Sequence, residues 1–239
     1  MPIDPNQIFM DTRLRPDVCI YCGGEPETKE HIPPKVFLDL PHPESLPTVR
    51  ACQSCNNQKS SDEEYLACLL ECIACGTTDI ALLKRDKVRK ALLHAPNLQA
   101  KLENAKKSTA QGLIWDVEHD RINSLAIRLA QGHIAYEEFA IWDEPTCIYV
   151  NPLHTLPPEM EPLFSEHAGL GEFAGYPELG SRAFLRLFDD NPDFVGSWIE
   201  VQSGRYRYRV TETPEVAIII REYLGIYVSW SEELSPFGF

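Results

Sequence analysis

The chain has no uncharged apolar run near the roughly 18 residues that a membrane-spanning helix needs, which excludes a helical membrane protein. Its first residues, MPIDPNQIFMDTRLRPD, have neither a basic start with an apolar core behind it nor a small-residue cleavage site, and so read as no secretory leader. Positive charge is scarce: 22 Lys and Arg stand against 36 Asp and Glu, a net charge of −14. That balance excludes a uniformly basic surface of the kind that holds nucleic acid by counterion release. No repeat period or low-complexity tract interrupts the sequence. At 239 residues and 44% hydrophobic content the chain can bury a core without disulfides. The expected compartment is cytoplasmic and reducing, where paired thiols are more often metal ligands than disulfides.

Cysteine is what the chain does have, with eight residues. Four form two C-x-x-C pairs, Cys19/Cys22 and Cys52/Cys55, with 29 residues between them. Two close pairs suit a tetrahedral zinc site, because each turn presents two sulfurs to one ion. A closed site of four thiolates leaves no position for substrate, so this zinc is expected to be structural. Cys68, Cys72 and Cys75 recur at helical spacing without a partner pair and read as small core residues, the alternative being a second metal site. Cys147, in a strand-like run, also reads as core.

Changes of periodicity divide the chain into residues 1–75, the finger; 76–110, a basic helical linker; and 111–239, an acidic α+β domain for interaction or regulation. The fold class is α+β. In the first segment "TKEH", at 28–31, reads as a strand stopped by Pro33 and Pro34, and "SLPTVRAC" as the returning strand. A helix follows, with Ser61 as its N-cap and Gly76 as its stop. "IALLKRDKVRKALLHAP" and "NLQAKLENAKKS" favour helix, and "HDRINSLAIRLAQGHIAYEEFA" reads as an amphipathic helix closing at Gly132. "TCIYVNPL", "SWIEVQSG" and "RYRYRV" alternate as strands do, with a hairpin turn at "QSG", and "EVAIIIREYLGIYVSW" reads as a buried strand or helix, its β-branched run favouring the strand.

Charge is uneven. Residues 121–239 carry 18 acids against 8 bases, whereas Lys84–Lys107 holds 8 bases and 2 acids. The basic stretch is either a phosphate-tracking surface or an ordinary solvated helix face. Arg205, Arg207 and Arg209 alternate with Tyr206 and Tyr208, which puts the arginines on one strand face, either in water or at a nucleic-acid edge. His42, His94, His119, His133, His154 and His167 have no distinguishing neighbours.

The zinc frame would draw Glu30 and His31 towards Asn56, bringing an acid, an imidazole and an amide beside a closed metal site. The pattern C-x-x-C, "EHIPPK", then "CQSCNNQK" resembles the HNH endonucleases, in the subgroup with a zinc-stapled ββα-metal finger, over residues 19–66. The resemblance implies hydrolysis of phosphodiester bonds, with His31 as general base and Glu30 and Asn56 holding Mg²⁺ or Mn²⁺. It also implies nucleic-acid contacts, for which Lys35, Lys59, Lys84, Arg85, Lys87, Arg89 and Lys90 are the candidates. The sequence departs from the family in three places. Glu30 stands where Asp is commoner, Pro47 and Thr48 stand where many members have Asn, and Ser60 stands where Gly is frequent. DNA is the expected substrate, RNA fitting the same site chemistry. A homo-oligomer or protein partner is expected through the acidic half, and bacterial defence or a mobile element is a setting that would suit the design. The rival reading is a non-catalytic zinc module that only organises an interaction surface.

Overall fold

A computed structural model describes residues 17–44, 46–110, 112–138, 140–165, 198–211 and 214–231. Helices and antiparallel sheets are mixed, as expected for an α+β chain. The described residues fall into two compact units, one formed by residues up to Asn56 with those from Ala126 onward, the other by Asn57–Leu125. No helix among the described residues is long and apolar enough to cross a membrane.

In the first unit, β1 (Thr28–His31) pairs antiparallel with β2 (Thr48–Ala51), Thr28 opposite Ala51 and His31 opposite Thr48. β1 ends where Ile32 is followed by two prolines, as their missing N–H donors require. α1 (Gln53–Cys75) starts immediately after β2, eight residues before the expected cap at Ser61. The cap is instead the second knuckle: the Cys55 N–H donates to Cys52 Sγ at 3.4 Å and the Gln53 N–H to Glu27 Oε2 at 3.0 Å. Sulfur and carboxylate do here what a hydroxyl was expected to do at Ser61, and both suit the positive end of a helix dipole. α1 stops at Cys75 before Gly76, whose φ of 66° favours glycine.

The rest of this unit is a five-stranded antiparallel sheet in the order β5-β9-β8-β7-β6. Its strands are β5 (Cys147–Pro152), β6 (Ile199–Gln202), β7 (Tyr206–Thr211), β8 (Glu215–Ile220) and β9 (Leu224–Ser229). "EVAIIIREYLGIYVSW" is therefore a hairpin and not one strand. Arg221 and Glu222, with φ of 59° and 49°, make its turn. Two positive-φ residues form the primed turn that fits strand twist, and neither is the usual Gly or Asn, so the turn carried no sequence signal. β8 and β9 are buried throughout, which erases the alternation that marks a half-exposed strand.

Each sheet face has its own cover. Ala217, Ile219 and Tyr227 pack with Met160 and Phe164, the latter on the short helix Glu161–Phe164. Arg207 and Arg209 share this face. Their guanidinium carbons lie 5.1 and 5.3 Å from the centroid of the Trp198 ring, Arg209 donates to the Leu163 carbonyl, and Arg207 pairs with Glu222. The arginine face is thus covered rather than solvated, because an indole can receive two cations that would otherwise need water.

On the opposite face Tyr206 and Tyr208 are buried, as is His133. His133 belongs to the long helix His119–Glu137, which runs through Gly132 instead of closing there. A Cβ at Gly132 would stand 2.4 Å from Ile32 Cδ1. Glycine serves there for close approach, not for termination. The His133 ring stacks on Tyr208 at 3.7 Å, its Nε2 lies 2.8 Å from the Tyr206 hydroxyl, and the Tyr208 hydroxyl donates to Glu137. Ala135 on the same helix packs with Ile20, Ile32 and Val49 of the finger.

The second unit contains most of α1, α2 (Asp86–His94), α3 (Pro96–Ala105) and a ribbon of β3 (Lys106–Thr109) with β4 (Gly112–Trp115). Pro96 opens α3 rather than merely ending α2, since the first helical position needs no N–H. Lys106 and Lys107, expected to extend that helix, are in β3. Glu71 is buried and accepts the backbone N–H groups of Lys84 and Arg85 at 2.8 and 2.9 Å. The Tyr65 hydroxyl accepts from the Glu118 N–H, and the Arg121 guanidinium lies 4.5 Å from the Tyr65 ring centroid.

Substituting Gly132→Val should lower unfolding free energy by about 1–3 kcal/mol through overpacking against the buried Ile32. Urea denaturation checks this, and a midpoint equal to that of the unchanged chain would contradict the close-approach role.

Candidate metal centre and the adjoining acid, histidine and amide

Cys19 and Cys22 lie on a tight turn in which the Cys19 N–H donates to the Gly24 carbonyl at 2.7 Å and the Gly23 N–H to the Cys19 carbonyl at 2.8 Å. Gly23 has φ of 71°, a left-handed conformation that glycine adopts without cost. The Ile20 N–H reaches the Arg50 carbonyl of β2 at 3.1 Å and so docks the first knuckle beside the second. The thiol sulfurs of Cys19, Cys22, Cys52 and Cys55 all lie within 4.8 Å of one another. This cluster is positioned to bind a metal ion.

The electrostatics of the cluster suit a dication. Burial pushes the Cys19 thiol up, but backbone N–H groups of Cys52, Tyr21 and Cys22 together bring it down to about 7. The Cys55 thiol is pushed far up by burial and by its sulfur neighbours. Four sulfurs this close hold four negative charges only with a positive ion among them, and binding one releases protons. Cys68 and Cys72 differ: burial, with the nearby Glu64 or Cys75, pushes each to about 12. They are core thiols, inert at neutral pH.

Beside the thiols, Asn56 occupies the first turn of α1. Its Nδ2 donates to Thr28 Oγ1 at 3.1 Å, and Thr28 Oγ1 donates to the Ala51 carbonyl at 2.9 Å. Because the threonine proton is committed to a carbonyl, the hydroxyl must accept from the amide nitrogen. The Asn56 oxygen is therefore the end turned away from Thr28. Glu30 lies two residues along the strand on the same face as Thr28 and is buried.

His31 closes β1 and is partly exposed, with the following Ile32 N–H on the Pro47 carbonyl at 2.9 Å. Its pKa is depressed below the ordinary 6.5, chiefly by burial and then by the charge of Lys35, although a hydrogen bond to the Leu46 backbone opposes the shift. The charge of His42 also depresses it. His42 thus belongs to the surroundings of His31, which its sequence neighbours did not show. The signal was its position in the spacer between the knuckles, since the loop of a hairpin returns to the strand end. A second residue reaches the site from a distant segment: Arg128 NH1 donates to the Cys55 carbonyl at 3.4 Å.

The basic candidates divide. Lys35 is exposed near His31. Lys59 is not at the surface: it is 0% exposed and its Nζ lies 3.6 Å from Glu63 Oε1, so its charge is neutralised inside the protein and cannot meet a phosphate. Arg85 is also buried. Arg89 is ion-paired with Asp86 and donates to the Leu83 carbonyl. Lys84, Lys87 and Lys90 are exposed on the second unit.

A scan against family models and searches of curated proteins and of solved structures find no match to this chain.

One divalent ion per chain is expected on the four thiols. Replacement by Co²⁺ should give the intense visible absorption of tetrahedral thiolate coordination, and Cys52→Ser should lose the ion while keeping a cap on α1, since a serine hydroxyl can accept from the Cys55 N–H. Elemental analysis and absorption spectra check this, and a full metal complement in Cys52→Ser would exclude the four-thiol site.

Proposed function

We propose that this chain is a metal-dependent endonuclease of the HNH type, cutting DNA by water, with RNA as the other phosphodiester that fits. The observation that carries the proposal is the strand–strand–helix arrangement. It places buried Glu30 and the oriented Asn56 amide on one side of β1, with a histidine of depressed pKa at the strand end. The four-thiol site is assigned to structural zinc, which ties both knuckles and opens α1 but has no room for substrate.

His31 acts as general base. A neutral imidazole takes a proton from water, and its depressed pKa keeps it neutral at physiological pH. Glu30 and Asn56 would hold Mg²⁺ or Mn²⁺: a carboxylate and an amide oxygen are the hard ligands these ions select. The bound ion supplies charge stabilisation to the leaving oxygen. Glu30 replaces the commoner Asp on a strand whose register is set by four paired positions, so its extra methylene is taken up by the side chain. Lys35, exposed in the turn after Pro34, offers positive charge to the phosphate next to the one attacked. The acidic second half is assigned to protein contacts, either dimerisation or restraint of the nuclease.

Purified protein should nick or linearise supercoiled plasmid with Mg²⁺ or Mn²⁺ and lose that activity in EDTA. His31→Ala should cut about 10²–10⁴-fold more slowly, the usual worth of a positioned base, while keeping its zinc. Cleavage by neither metal, on plasmid or on RNA, would leave the zinc-stapled interaction module as the better reading. The base must be unprotonated, so activity is lost as pH falls through the pKa of His31. The acid limb of the pH–rate profile should accordingly lie below 6.5, and a limb above that value would remove His31 from the role of base.

A further inference from the structure

The pairing of β1 with β2 decides which side chains share a face. Directly opposed residues of an antiparallel pair point to the same side, and the side alternates along each strand. Thr28 and Glu30 therefore lie on one face with Ala51 and Val49, and of these Glu30, Ala51 and Val49 are buried. Lys29 and His31 lie on the other face with Arg50 and Thr48. Burial agrees with this division, Lys29 and Arg50 being exposed and His31 and Thr48 partly exposed. The imidazole thus opens onto the outer face of the hairpin, where its neighbours are two cations.

Those two cations stand directly opposite each other in the register. Like charges at opposed positions destabilise a strand pair, so the hairpin carries a cost that an anion on its outer face removes. The chain meets part of it: Arg50 is ion-paired with Asp17, the two side chains being 53% and 81% exposed. A pair so open to water contributes little, and an incoming anion displaces Asp17 at small cost. Lys29 has no ion-pair partner among the described residues. With Asp17 counted, this face keeps one uncompensated positive charge two residues before His31, about 7 Å along the strand. Lys35 follows His31 at the other end and its charge reaches the imidazole. Cations before and after the histidine fit a polymer with an anion at every link, one link at the histidine and the next at Lys29 and Arg50.

We propose that Lys29 and Arg50 form a phosphate clamp on the outer face of the β1–β2 hairpin, holding the nucleic-acid backbone at the phosphate next to the one presented to His31, on the side away from Lys35. The inference rests on the nuclease reading. It sets the path of the substrate along β1, and because the clamp meets only phosphate it adds affinity without sequence preference.

The test uses full-length protein with Ca²⁺ in place of Mg²⁺, so that binding is read without turnover. Affinity for labelled DNA and RNA oligonucleotides is measured over a series of salt concentrations. Lys29→Gln and Arg50→Gln should each bind more weakly on every sequence, with the slope of log affinity against log salt shallower by about 1. Lys29→Gln should keep its zinc and melt no lower than the unchanged protein, since it relieves a like-charge pair. Lys101→Gln, which removes a cation already paired with Glu118, should leave the slope as it is. If the unchanged protein binds and Lys29→Gln has the same slope, or if Lys101→Gln loses as much, the clamp is wrong and the nuclease reading stands. If the unchanged protein binds neither DNA nor RNA, the nuclease reading fails and the clamp with it.

Discussion

Convergence of four sulfurs is the constraint on which the amino-terminal part depends. Cys19 and Cys22 are separated from Cys52 and Cys55 by a proline-broken segment whose buried groups, Ile32, Phe37, Leu38 and Val49, are too few to form a core of their own. The second knuckle supplies both a sulfur pair and the cap of α1, so closing the thiol cluster also fixes where the helix begins. Once that start is fixed, Asn56 falls in the first turn and meets Thr28 across the strand pair. Closure of the thiol cluster, strand register and the orientation of one amide are thus geometrically linked. A small finger with little core can be precise only because these steps are coupled.

The finger is also shaped from outside. Gly132 lets a helix come against Ile32, Tyr206 stacks on Phe37, and Gln202 binds the backbone around Leu40. Each of these partners is remote in sequence from the finger and lies in the same compact unit. The buried His133, Tyr206, Tyr208 and Glu137 network lies where that helix meets the sheet, joined by two hydrogen bonds and one ring stack. Such a network fixes one docking geometry where an apolar contact would tolerate several. The sheet therefore supports the loop that carries Leu40 and His42, and a change in the sheet would be felt at the site.

Short-range chemistry was legible in the sequence, and long-range packing was not. C-x-x-C spacing announces two knuckles by itself, and prolines after His31 announce a strand end. Gly132 reads as a stop because glycine usually is one, yet the reason for it is a methyl group a hundred positions away. Ser61 reads as a cap because nothing local says that a thiol and Glu27 have already capped the helix. The hairpin of β8 and β9 was hidden because burial on both faces removes the period of two and the turn uses Arg and Glu. Lys59 looked like a surface cation, since only the fold shows it enclosed beside Glu63. His42 and Arg128 were missed for the same reason: their relation to the site is spatial, and neither has a neighbour in sequence that marks it.

Net charge misleads in a similar way. In the second unit part of the excess of bases that the sequence suggests over Lys84–Lys107 is met by acids beyond that stretch, Lys101 by Glu118 and Lys107 by Asp116, while Arg89 pairs with Asp86 within it. Exposed pairs of this kind add little stability, but each removes a cation from the account of a polyanion. Half of the acids in residues 121–239, such as Glu172 and Asp190, fall outside the described residues. Near His31 the described residues place Lys35 and His42, whose charges both lower the pKa of the histidine. For the proposed nuclease this leaves less to counterion release than the sequence alone suggests, and more to the fit of a substrate around His31.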